Sequence, residues 1–161
     1  MKFIKILIIL FVLSSIFATC KKEDNPAADN LYFKCKLNGQ DYVPSNCANC
    51  LKAQILNDTT FLFNANVGFE SLAMGAHIGS GINVSSYLLD GLMGLGSYKN
   101  TPQVNDIFKT DASNTGQLNI TNIDKTKKII QATFLFKAYN PIQNSIVTVT
   151  EGSFRLKYSD Y

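Results

Sequence analysis

Cys47-Ala48-Asn49-Cys50 brings two thiols within three residues of each other, and it is the sharpest chemical feature of this 161-residue chain. A zinc site needs four ligands, yet there is no second Cys pair and a single histidine, His77, so metal binding is not expected. A redox-active Cys-x-x-Cys caps a helix whose N-terminus stabilises the thiolate. Here the pair follows Pro44-Ser45-Asn46 and precedes an apolar alternation beginning at Leu51, a loop before a strand. A structural disulfide between Cys47 and Cys50 is the favoured reading. Cys35 shares an apolar face with Leu31, Phe33 and Leu37 and reads as a small buried hydrophobe, while its pairing with Cys47 or Cys50 stays open.

Other reactive side chains do not assemble into a motif. His77 falls opposite Leu72, Met74, Ala76 and Ile78, so it should meet solvent or a groove. Gly-x-Ser-x-Gly, the nucleophile elbow, does not occur. Gly91-Leu-Met-Gly94-Leu-Gly96 lacks the basic residue and following helix of a phosphate cradle. Asp111 to Gly116 has the composition of a calcium loop, but Asn122 stands where a bidentate Glu belongs, so a plain turn is expected. The 12 acids are scattered, and nothing selects a catalytic pair. No catalytic residue and no cofactor are assigned, and an enzyme is not expected.

The N-terminus carries an address. Lys2 and Lys5 open a segment with an apolar stretch from Ile6 to Leu13 and a more polar end at Ser14, Ser15, Ala18 and Thr19, the layout of a secretory signal. The apolar stretch is short against the roughly 20 residues of a membrane span. Cys20 follows Phe17-Ala18-Thr19 directly, and this resembles the lipobox of bacterial lipoproteins, with Phe17 and Thr19 departing from its commonest residues. The resemblance implies cleavage after residue 19 and lipidation of Cys20, a diacylglyceryl group on sulfur and a palmitate-type acyl chain on the new amino group. Two or three chains on one residue anchor stably, because each buried methylene contributes about 0.8 kcal/mol.

Residues 20–30 lack periodic apolar positions and read as a linker reaching about 35 Å at most. Within it, Lys21-Lys22-Glu23-Asp24 resembles the export tag of Bacteroidota surface lipoproteins, or is a solvated tether. Asp58-Thr59-Thr60 resembles the O-glycosylation pattern of exported proteins from the same group, with Thr59 the acceptor at an expected hairpin tip; the alternative is a polar turn.

The elements that would position these residues are strands. From Leu31 onward apolar residues alternate with polar ones, the period of a sheet with one buried face. Asn38-Gly39 marks a tight hairpin between Leu31–Leu37 and Gln40–Val43, and Asn57-Asp58-Thr59 turns a second pair, Leu51–Ile55 and Phe61–Val67. Leu72 to Ile78 forms another row. The stretch from Gly68 to Gly96 holds seven of the ten glycines and is expected to contain loops, bulges or strand ends. Ile130, Ala132, Phe134, Phe136 and Ala138 form the least interrupted row. It is followed by Val147 and Val149, an expected turn at Glu151-Gly152, and Phe154, Leu156 and Tyr158. Eight to ten strands with short antiparallel connections predict an all-β domain over residues 31–161, a β-sandwich or flattened barrel.

The motifs Gly-x-Leu-x-Ile-Thr-x-x-Asp (Gly116 to Asp124), Ile-x-x-Thr-Phe-x-Phe (Ile130 to Phe136) and Val-Thr-Glu-Gly-x-Phe (Val149 to Phe154) make the chain similar to small all-β lipoproteins of Bacteroidota, grouped as families of unknown function. These are turn and core residues, so the resemblance implies a fold and a location and no catalytic residue.

With Lys2 and Lys5 set aside, 13 Lys and Arg face 12 Asp and Glu, a balance that offers no attraction to nucleic acid. The expectation is therefore a lipoprotein anchored to the outer membrane through Cys20, facing the cell surface if the tag is read, and acting as a binding or interaction module. The alternative is an assembly lipoprotein pairing a sheet edge with an outer-membrane protein. The absence of Trp weighs against a glycan ligand.

Overall fold

A computed structural model describes residues 30–79, 81–103 and 106–161. The leader, Cys20 and the linker up to residue 29 lie outside the described residues. The described chain forms β1 (Tyr32–Leu37), β2 (Gln40–Asp41), β3 (Leu51–Leu56), β4 (Thr60–Val67), β5 (Glu70–His77), β6 (Ser85–Leu89), β7 (Gly94–Lys99), β8 (Ile107–Lys109), β9 (Gly116–Asp124), β10 (Ile129–Asn140) and β11 (Ser145–Asp160).

Local turn chemistry explains the hairpins. Asn38 (φ 51°) and Gly39 (φ 82°) both take left-handed backbone, the geometry whose twist matches paired strands, and join β1 to β2. Asn57 (φ 48°) and Asp58 (φ 55°) do the same between β3 and β4. Asn140 is buried at the end of β10, and its Oδ1 accepts the N–H groups of Ile142 (2.8 Å) and Gln143 (3.0 Å), which turns the chain into β11.

Pairing assembles one eleven-stranded sheet that divides into two antiparallel sub-sheets. One has the order β6-β9-β10-β11-β1-β2 and the other β3-β4-β5-β7-β8. They are hydrogen-bonded to each other at two corners. Tyr158–Asp160 of β11 run parallel to Ala53–Ile55 of β3, and Tyr139 of β10 pairs with Lys109 of β8. The expected sandwich and the expected flattened barrel are thus one object: two packed faces closed into a ring.

Eleven strands exceed the expected eight to ten because β6, β7 and the three-residue β8 are added in and after the glycine-rich stretch expected to hold loops, bulges or strand ends, while the two strands expected on either side of Glu151-Gly152 are one. Glu151-Gly152 is a correction. It is a bulge inside one continuous 16-residue strand, because β11 places three steps between Val149 and Gly152 where β10 places two between Phe136 and Phe134. β1 meets the same irregularity between Lys34 and Lys36, and Glu151 takes the left-handed backbone (φ 53°) that the extra residue requires. Gly152 sits under Phe134, where a Cβ would come within 2.5 Å of the ring and of the Phe134 carbonyl.

The core lies between the inner faces and is aromatic at its centre. Phe63 of one sheet stacks on Phe154 of the other with centroids 5.0 Å apart, and Phe61, Phe134 and Phe33 surround the pair at 5.5 to 6.2 Å. Ile130, Ala132, Phe134, Phe136 and Ala138 all point inward, as their alternation predicts. Leu31, expected in the first apolar row, precedes β1 and is 44% exposed.

Candidate functional site

The outer face of the five-stranded sheet is assembled from residues that alternate with the core. Register aligns them in rows across the strands. Gln54, Leu62, Gly75 and Leu95 form one row; Lys52, Asn64, Ala73, Ser97 and Lys109 form the next. Small residues in β5, Ala73 and Gly75, lower the sheet surface at the centre. A Cβ on Gly75 would lie 3.1 Å from Leu62 Cδ2, so the tip of that side chain would have to shift by a few tenths of an ångström to admit one.

The turn between β6 and β7 raises a wall beside this floor. Asp90 Oδ1 accepts the N–H groups of Leu92 (2.9 Å) and Met93 (3.1 Å), bonds that hold its carboxyl below the usual carboxylate range. The turn leaves Leu92 87% and Met93 61% exposed. With Leu62 and Leu95 they border a groove of about 500 Å³ whose polar ends carry Thr60, His77 and Asn64. Burying one such side chain is worth about 1.5–3 kcal/mol, so the groove presents unspent binding surface.

His77 stands exposed at one end of this groove, on the face opposite the core, as its place in the β5 alternation predicts. The groove itself is missing from the sequence reading. Its signal is Leu62, an apolar residue between Phe61 and Phe63 at a position where alternation calls for a polar one, and Leu95 between Gly94 and Gly96 is a second.

The thiols lie elsewhere. Cys47 and Cys50 are joined in a disulfide within the loop leading to β3, and Asn66 binds that loop by donating its N–H to the Cys50 carbonyl and accepting from Ser45 N–H. Cys35 is free and buried, and burial pushes its thiol up to about 12. Neither thiol site borders the groove. Thr59 is half-buried at the β3–β4 turn; its carbonyl accepts the Ile78 N–H, and the Asp58 carbonyl accepts the Gly81 N–H, so the β5–β6 connection crosses this tip.

Asp111 Oδ1 accepts from the N–H groups of Ser113 (2.8 Å) and Asn114 (2.7 Å), which makes the glycine-ended stretch a closed turn. A polar recess between β2 and β5 is lined by Asp41, Tyr42, Glu70 and Tyr98. Tyr42 Oη donates to the Ala65 carbonyl at 3.0 Å, and burial, with Glu70 nearby, pushes Tyr98 up to about 12. Among the described residues, no three of His, Cys, Asp and Glu converge as metal ligands would.

Residues 30–156 match a domain of unknown function, DUF6252. No curated protein and no solved structure matches the chain.

Proposed function

From a chain that belongs to the DUF6252 family, a domain of unknown function, we propose an exported lipoprotein that is held at the outer membrane through acylated Cys20 and works as a binding module. The observation that carries the binding half is the groove on the five-stranded sheet, where Leu92, Met93 and Leu95 stay exposed around a floor of small residues. Rigid strands position such a site better than free loops do. The anchoring half rests on the leader and its lipobox resemblance.

Two experiments separate the halves. Cys20→Ser should release the protein from membranes or leave an unprocessed precursor; a substituted protein cut at the same place and still membrane-bound would remove the lipid anchor. A photo-crosslinking side chain at position 95 should give a discrete adduct in cells, while the same probe at Lys137, exposed on the other sheet, should not. Equal labelling at both positions would remove the groove.

The assembly reading draws on β6, which ends the six-stranded sheet with one edge unpaired by any described strand and with Leu88 53% exposed. A crosslinker at Leu88 that captures a stoichiometric membrane protein, with no adduct from position 95, would favour it.

A further inference from the structure

The groove lies on a face of one charge. The outward positions of β3, β4, β5, β7 and β8 include Lys52, Lys99 and Lys109 and no Asp or Glu. Asp90 and Asp111, in the turns beyond these strands, hold backbone amides with their carboxylates. Lys52 lies over the Tyr161 ring at 5.7 Å and Lys99 donates to the Pro102 carbonyl; among the described residues none of the three lysines makes an ion pair. Lys52 and Lys109 terminate the same row, Lys52-Asn64-Ala73-Ser97-Lys109, which runs beside the apolar row of Leu62 and Leu95. Four strand spacings separate them, about 19 Å along the sheet.

We propose that this face takes a segment of polypeptide in which two apolar side chains lie between two carboxylates about six residues apart. The proposal rests on the binding reading above and names its partner class. An extended chain covers about 19 Å in roughly six residues, and side chains at every second position face the same way. Acids at the first and seventh positions therefore reach the two lysines while apolar side chains at the third and fifth enter the groove. A small amphiphile with one anionic head could engage only one end of the row. A second copy of this chain would bring lysines against lysines with no carboxylate to answer them.

The test uses the full chain in phosphatidylcholine nanodiscs and fluorescent peptides of the form Gly-Glu-Ser-Leu-Ser-Leu-Ser-Glu-Gly, with Lys in place of Glu as one control and Ser in place of Leu as another. The acidic peptide should bind saturably, at least about tenfold more tightly than either control, and should weaken several-fold as salt rises and the screening length shortens. Lys52→Glu with Lys109→Glu should invert the preference toward the Lys peptide, and an unchanged melting temperature will show that the variant is folded. The salt series on the unaltered protein keeps the test decisive should the variant misfold. Equal binding of acidic and basic peptides, or an acidic peptide indifferent to both salt and the double substitution, would overturn the proposal. Binding only to phosphatidylglycerol vesicles would also overturn it, in favour of a lipid surface. Failure of every peptide with an intact crosslink at position 95 would refute this partner class while leaving the groove in place, and loss of both would refute the groove.

Discussion

Phe136 of β10 packs its ring against the backbone of Gly96 in β7, so closely that a Cβ at position 96 would fall 2.8 Å from the ring's Cγ. The contact joins the two sheets behind the groove floor, because Gly96 alternates with the outward Leu95 and Ser97. Glycine here serves close approach, since its conformation is that of an ordinary strand.

Gly96→Ala should therefore destabilise the domain by about 1–3 kcal/mol, the usual range for overpacking. Phe136→Ala should cost about 3–5 kcal/mol, and Lys137→Ala, facing solvent, less than about 0.5 kcal/mol. With the ring removed, the added methyl finds space, so the double substitution should cost clearly less than the sum. Urea titration of the unaltered protein and the four variants reads all four costs. Strict additivity would show that the ring and the glycine are not in contact.

Stability should fall on the alkaline side. The Cys35 thiol is raised by burial from 9.0 to about 12, and Tyr98 from 10.0 to about 12, by burial first and Glu70 second. In each case the unfolded chain gives up its proton at lower pH than the folded one, so between about pH 9 and 12 the unfolded state binds fewer protons and is favoured as pH rises. Thermal unfolding between pH 7 and 11 should show a Tm level up to about pH 9 and declining above it, with the decline reduced in Cys35→Ala. A thiol reagent at neutral pH should label Cys35 only in denaturant.

Reduction of the Cys47–Cys50 bridge should have a modest effect. The loop it closes is four residues long, and loop-closure entropy for so short a ring amounts to about 2 kcal/mol. The backbone bonds between Ser45, Cys50 and Asn66 remain after reduction and should keep the loop in place. A melting curve with and without reductant should therefore shift by a few degrees. Complete unfolding on reduction would mean that the bridge, and not the strand pairing, holds the start of β3.

The strands other than β6, β7 and β8, and the faces they present, were legible in the amino-acid sequence because both are local properties. Phe134, Leu135, Phe136 and Lys137 alternate in and out of the core as period two demands, and Asn38-Gly39 turns because its residue types accept left-handed backbone at little cost. Where pairing across the chain decides, local signals fail. Glu151-Gly152 has the composition of a turn, yet β1 and β10 flank β11 on either side of it, and two partners in register absorb the extra residue as a bulge. The parallel contact of β11 with β3, which closes the ring, joins segments about a hundred residues apart with no short-range trace.

The groove belongs to the same category. Leu62, Gly75 and Leu95 come from three strands, and each alone is an irregularity in its own alternation; only the register of β4, β5 and β7 sets them in one row. Residue type determined which side chains the core would take, because burial is a property of each residue's own surface. Tertiary pairing decided which of the remaining side chains became neighbours, because register is a relation between strands and is settled by the packing of all of them together.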